Sequence, residues 1–126
     1  MKKVWYAPNR FESYGEEEIK AVEKCLRDGW LAGFGPRSVE FEEKVAKYFG
    51  KKYGVFVNSG SSACLLALAS LSLPKGCKVI TPACTFSTTL APIIQLGFKP
   101  IFCDVNLTSY IPDIEDIIAL IDDDVK

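Results

Sequence analysis

Three short apolar runs, each followed by a helical stretch, predict an α/β fold: a mostly parallel sheet flanked by helices. The runs are residues 53–57, 77–81 and 100–105, all rich in β-branched or aromatic residues. Between them the apolar spacing changes to that of a helix, and no repeat or low-complexity linker breaks the alternation. A length of 126 residues suits one domain, and 48% apolar with 12% aromatic residues excludes a disordered segment.

Ahead of the first run lie two helices. Ser13-Tyr14-Gly15-Glu16 has the form of a capping box with Ser13 as N-cap, followed by acidic residues in a first turn, Glu16 to Glu18. Ile19, Val22, Cys25 and Leu26 repeat at helical spacing, Lys24 and Arg27 close the last turn and Gly29 stops it, so a surface helix is expected over residues 15–28. Trp30-Leu31-Ala32-Gly33-Phe34-Gly35-Pro36 reads as a loop carrying two aromatics. Ser38 can cap the second helix, with Phe41, Val45, Tyr48 and Phe49 as its apolar stripe and Gly50 as its end.

After the strand at 53–57, Asn58 to Ser62 reads as a turn, and Ala63 to Leu73, apolar nearly all round, as a helix packed between layers. Pro74-Lys75-Gly76 leads to the strand at 77–81. A helix over 85–96 ends at Gly97, with Pro92 expected to kink it or delay its start. The strand at 100–105 precedes a last helix from Pro112-Asp113 to Leu120, with Ile114, Ile117, Ile118 and Ile121 on its apolar side.

Composition narrows the function. A formal net charge of −1 supplies no basic field for nucleic acid or an anionic membrane. The absence of His removes Ser-His-Asp, Cys-His and His-ligated metal chemistry from the chain. Five Cys without a CxxC pair read as reduced, mostly buried thiols of a cytoplasmic protein and leave no metal site. The basic start, residues 1–10, is followed by no apolar segment of a secretory signal, and no run is long enough to cross a bilayer.

In a parallel sheet, ligands bind beyond the carboxyl ends of the strands. At Asn58–Ser62 a strand runs into Ser-Gly-Ser-Ser and then a helix. Gly60 would allow close backbone approach, while Ser61 and Ser62 offer N–H and hydroxyl donors where a phosphate is favoured. The same residues also serve as ordinary helix caps that need no ligand. The loop is neither GxxxxGK[ST] nor GxGxxG. In the next turn Phe86 could stack on a flat heterocycle, with Thr85 and Ser87 on its polar edge, or it could fill core. Asp104 and Asn106 suit a capped turn. No lysine of the chain has the apolar surroundings of a Schiff-base amine.

Gly29-Trp30-Leu31 and Gly35 before Phe41-Glu42 form the first part of a pattern. Val57-Asn58-Ser59-Gly60-Ser61-Ser62-Ala63 follows, then Pro82, Thr85-Phe86-Ser87-Thr88, Gly97, Pro100, Phe102 and Asp104-Val105. In this order and spacing they resemble the nucleotide-sugar aminotransferase family (DegT/DnrJ/StrS type), fold-type-I pyridoxal-phosphate enzymes. The resemblance implies a pyridoxal 5'-phosphate cofactor, with Gly60, Ser61 and Ser62 on its phosphate and Phe86 on its ring. It implies a nucleotide-linked keto-deoxysugar as substrate, an amino donor, and a homodimer in which Trp30 and Phe34 are substrate or dimer-loop candidates. The Schiff-base residue would lie beyond Lys126, so no catalytic residue is expected here. The chain then reads as truncated: residues 1–37 an N-terminal helix and aromatic loop, residues 38–126 the first part of the large domain, with an unpaired sheet edge. A fragment of this kind is expected to be inactive alone. The run from Asn58 to Ala63, with Phe86 to Thr89 and Pro92 to Gln95, also resembles sugar 3-dehydratases of the same family, in which His replaces the Schiff-base Lys. Cys64 and Ala91 stand where the dehydratase pattern has Asn, which puts aminotransferase first. A non-catalytic module binding a phosphate ligand or a partner is the alternative of another class.

Overall fold

The structure, a computed structural model, describes residues 13–30 and 32–126. The basic start and Leu31 lie outside the described residues. The chain divides into two compact units that part between Phe56 and Val57.

The first unit holds helices α1 (Glu16–Asp28) and α2 (Pro36–Tyr48). The N-cap of α1 is Gly15 rather than Ser13: the Glu18 carboxylate reaches back to accept the Gly15 N–H at 2.7 Å, so only the glutamate half of a capping box forms, two residues later than expected. That hydrogen bond holds the Glu18 carboxyl below its usual range. Gly29 closes the helix in the left-handed conformation, which only glycine adopts without strain. In α2 the N-cap is Gly35, and Pro36, expected in the loop, is the first helical residue, where its missing N–H costs nothing. Ser38 lies inside the first turn, and its hydroxyl donates back to the Gly33 carbonyl at 2.8 Å.

Residues 53–57 carry strand-forming side chains but pair with no strand among the described residues. β propensity needs a ladder partner to be expressed. Instead α2 grips this segment. The Glu42 carboxylate accepts the Phe56 N–H at 2.7 Å, and the Phe41 ring meets the Phe56 ring edge-on at 5.2 Å between centroids. Gly54 makes the approach possible, since a Cβ there would stand 2.7 Å from the Glu42 carbonyl oxygen.

The second unit contains α3 (Gly60–Ser70), β1 (Lys78–Pro82), α4 (Ser87–Gln95), β2 (Lys99–Cys103) and α5 (Ile114–Ala119). β1 and β2 pair in parallel, with Lys78 opposite Lys99 and Pro82 opposite Cys103, and α4 makes the crossover. Cys77, Ile93 and Phe98 form the buried core, packed by Leu68, Leu73, Val79 and Leu96. α3 begins three residues earlier than expected, because the serine turn is its first helical turn. No residue of α3 is buried, and Leu66 is half exposed, so the expectation of a helix enclosed between layers is not met among the described residues. α4 starts at Ser87 and runs through Pro92, which is buried. Both ends of β1 and both ends of β2 differ by one or two residues from the expected ones. α5 is a short helix capped at Asp113, and Ile114, Ile118 and Ile121 are exposed. Cys77 and Cys103 are buried, while Cys64 and Cys84 are exposed and Cys25 is half-buried, so the thiols are free but not mostly buried.

On the edge of β1 away from β2, Val125 makes a single parallel bridge to Lys78. Lys78 donates its N–H to Asp124 and accepts from Lys126. The Lys78 ammonium meets the carboxylate of Asp122 and, at 3.5 Å, that of Asp124. Hydrogen bonding to Asp122 raises the Lys78 amine above its usual range and lowers the Asp122 carboxyl below its own.

Two predictions follow from these contacts. Gly54→Ala should lower the free energy of unfolding by about 1–3 kcal/mol in a denaturant titration, because the methyl group meets backbone that cannot yield. The Lys78–Asp122 pair should stabilise the chain most between the two titration ranges. Its contribution falls as pH drops through the lowered Asp122 value and again as pH rises through the raised Lys78 value. Thermal midpoints of wild type and Lys78→Met should therefore differ most near neutrality and converge in acid; a difference that persists unchanged into acid would contradict the pair.

Candidate phosphate-binding turn

The turn between Val57 and α3 is organised by its own side chains. Ser59 is the N-cap, and its hydroxyl oxygen accepts the Ser62 N–H at 3.1 Å. The Ser59 hydroxyl donates to Ser62 Oγ at 3.1 Å, and the Ser62 hydroxyl donates to Asn58 Oδ1 at 2.8 Å. The Ala63 N–H reaches the Ser59 carbonyl. Among the described residues, the N–H groups of Gly60 and Ser61 and the Ser61 hydroxyl have no partner. A Cβ on Gly60 would meet no atom within 4 Å, so the turn is open on that side.

Unlike α1, whose first turn carries Glu16, Glu17 and Glu18, α3 has no acidic residue in its first turn. Its partial positive charge is thus not answered by a carboxylate of its own first turn. Open space, two free N–H groups, a free hydroxyl and an uncompensated helix end fit a phosphate group.

Beside this turn, Ser61 and Ser62 line a recess of about 200 Å³ with Leu65 and with Thr88, Ala91, Pro92 and Gln95 of α4. Phe86 is the N-cap residue of α4, two positions before Thr88, and is 71% exposed. It does not fill the core, and its ring is free to face a planar ligand. Thr85 is engaged with Thr89, hydroxyl to hydroxyl at 3.2 Å. A larger groove of about 500 Å³ runs between α3, β1 and α4, but its walls are mainly apolar: Cys64, Leu68, Leu71, Val79 and Ile93 among others. The Thr81 hydroxyl on that wall is buried without a partner. One buried hydroxyl among apolar walls does not make an anion site.

Asp104 accepts the N–H of Val105, and Asn106 accepts from both the N–H and the hydroxyl of Thr108, so these residues build a capped turn. Burial, with the carboxylates of Asp116, Asp104 and Asp113, pushes the Cys103 thiol up and keeps it protonated. Lys78, held by two carboxylates, is likewise kept protonated and is no nucleophile. Among the described residues no group of His, Cys, Asp and Glu is placed to hold a metal, and no helix is long and apolar enough to cross a membrane.

The two aromatic-loop residues, both in the first unit, behave differently. Trp30 lies over Gly35, with its Cβ 3.7 Å from where a glycine Cβ would be, and lines a groove of about 450 Å³ with Val22, Cys25, Leu26 and Arg37. Phe34 is 81% exposed. Asn58 belongs to the turn and the pattern read from the sequence, but its bond to Ser62, four residues on across the start of a helix, is legible only in the structure.

Residues 12–126 match the DegT/DnrJ/EryC1/StrS aminotransferase family. The chain belongs to this family. It is 38% identical over 106 residues to the spore coat polysaccharide biosynthesis protein SpsC of Bacillus subtilis, covering 84% of this chain and 27% of that protein. It is 36% identical to the UDP-4-amino-4-deoxy-L-arabinose–oxoglutarate aminotransferase of Shewanella sediminis, over 88% of this chain and 28% of that one. The structure of E. coli GDP-4-keto-6-deoxy-D-mannose-3-dehydratase with bound hydrated PLP superposes on 91% of this chain and 31% of its own length, with a TM-score of 0.83 and 35% identity. The chain therefore spans about a third or less of the length of these relatives.

Gly60→Ala separates folding from binding at this turn. The methyl group meets open space and the residue is helical, so stability should rise by up to about 1 kcal/mol. The same methyl enters the open side of the turn, so affinity for a phosphate ligand should fall, read by thermal unfolding with and without ligand.

Proposed function

We propose that this chain is the cofactor-phosphate-binding part of a pyridoxal-phosphate-dependent aminotransferase acting on a nucleotide-linked keto-deoxysugar. The observation that carries the reading is the set of free donors at the start of α3, in a chain of this family. In this reading Gly60 and Ser61 present backbone N–H groups to the phosphate, with hydroxyl support from the serines, and Phe86 holds the ring face. When bound, the cofactor supplies an electron sink at the carbon carrying the amino group. The residues of this chain bind and orient it, and among the described residues no lysine is placed as the Schiff-base residue. Residues 1–37 then form an N-terminal helix and aromatic loop, and residues 38–126 the first part of the large domain. A cytoplasmic homodimer, with Trp30 and Phe34 at the substrate or subunit boundary, completes the proposal.

The likeness to the E. coli 3-dehydratase supports a second reading, deoxygenation at the sugar rather than amino transfer. A Lys at the Schiff-base position gives the transferase, a His the dehydratase. Incubating the intact enzyme with an amino donor and a nucleotide-linked 4-keto-6-deoxysugar should yield an amino sugar; a 3-deoxy product would identify the dehydratase instead. Pyridoxal phosphate should bind the wild type more tightly than Ser61→Ala/Ser62→Ala, and Phe86→Ala should weaken binding by about three- to tenfold. Equal binding by wild type and the serine variant would overturn the phosphate-turn assignment and favour a non-catalytic module.

A further inference from the structure

The two serines of the turn are not equivalent. The Ser62 hydroxyl has one proton, and the oxygen it faces at 2.8 Å, Asn58 Oδ1, can only accept. That proton is therefore committed to Asn58. With it spent, the 3.1 Å contact between Ser59 and Ser62 is donated by Ser59, whose oxygen takes the Ser62 N–H in return. The four groups close a chain in which neither Ser62 donor is left for an anion. Ser61 differs: it is exposed, its hydroxyl has no partner among the described residues, and its N–H is free beside that of Gly60.

We propose that Asn58 is a positioning residue of the phosphate cradle, acting through the Ser62 hydroxyl, and that Ser61 supplies the hydroxyl that meets the phosphate. The inference rests on the cofactor reading above and refines it, since the sequence pattern alone assigns the two serines the same role. Asn58 fixes Ser62, Ser62 fixes the cap at Ser59, and the cap holds the first turn of α3 with the Gly60 and Ser61 N–H groups directed outward. Removing the Asn58 acceptor releases that turn without removing any group that touches the ligand.

The test is a double-mutant cycle in the intact enzyme, reading dissociation constants for pyridoxal phosphate and for pyridoxal, which lacks the phosphate. Asn58→Ala and Ser62→Ala should each weaken pyridoxal phosphate by about three- to tenfold, the loss of one hydrogen bond. The double variant should be no weaker than either single one, because the two residues act as one unit. Ser62→Thr, which keeps the hydroxyl, should bind as wild type. Ser61→Ala should multiply with either change. Pyridoxal affinity should stay unchanged in all of them, whereas a variant that simply unfolds loses both ligands alike. The proposal is overturned if Asn58→Ala binds pyridoxal phosphate as tightly as wild type or more tightly, if the Asn58 and Ser62 effects multiply, or if pyridoxal falls in parallel. Absence of pyridoxal phosphate binding by the unmodified enzyme overturns the cofactor reading itself, and this inference with it.

Discussion

Every α-helix begins with N–H groups that its own ladder cannot satisfy, and the site in this protein depends on how one helix disposes of them. At α3 the cap is split. Ser59 takes the Ser62 N–H through its hydroxyl and the Ala63 N–H through its carbonyl, leaving the Gly60 and Ser61 N–H groups without an acceptor among the described residues. α1 solves the same problem with a carboxylate that folds back onto its N-cap. A first turn that carries three glutamates opposes an external anion. A helix start finished by neutral hydroxyls keeps its positive end.

The sheet fixes where the segment after α5 can stand. In a parallel ladder alternate residues of a strand face opposite neighbours. The Lys99 N–H to Cys77 carbonyl and Ala83 N–H to Cys103 carbonyl bonds place the odd-numbered positions of β1 toward β2. Lys78 faces the other way, toward Asp124 and Lys126, and Ile80 must follow it. Pro82, next in that series, has no N–H to give. The ladder on this edge can therefore extend past Lys78 by only one more donating residue of β1. A single pairing register, reinforced by the Lys78 ammonium between two aspartates, thus sets the position of the segment after α5.

The alternation of strands and helices was legible because it follows from composition over several residues at once: β-branched runs, glycine stops and the proline break at Pro74. The ends of elements were not, and the reasons are local. Glu16, Glu17 and Glu18 are three similar carboxylates in one turn, and only backbone geometry selects the one that reaches back to the Gly15 N–H. Ser59-Gly60-Ser61-Ser62 consists wholly of turn-forming residues, yet the same hydroxyls that make a turn also cap a helix, and here the turn is the helix. Residues 53–57 have the right side chains for a strand, but strand formation is a property of pairs and no single segment encodes it. At the proposed site, the residue types suited to an anion were visible. Which hydroxyl proton is free was not, because it depends on an Asn58 side chain four residues away.

The Phe41-Glu42 pair shows why a motif match and a ligand contact are separate matters. These adjacent residues form part of the pattern by which the chain resembles its family, and a reader of the sequence could assign them to a binding site. In the structure both are spent on Phe56: the ring of one meets its ring, and the carboxylate of the other takes its N–H. A glutamate that accepts a backbone N–H at 2.7 Å while its own backbone lies against Gly54 is answering a folding problem, the securing of an extended segment that has no ladder partner. By contrast, Gly60 has free space around it and no packing reason to be glycine. In this chain internal contacts account for the Phe41-Glu42 pair, whereas no internal contact accounts for glycine at position 60.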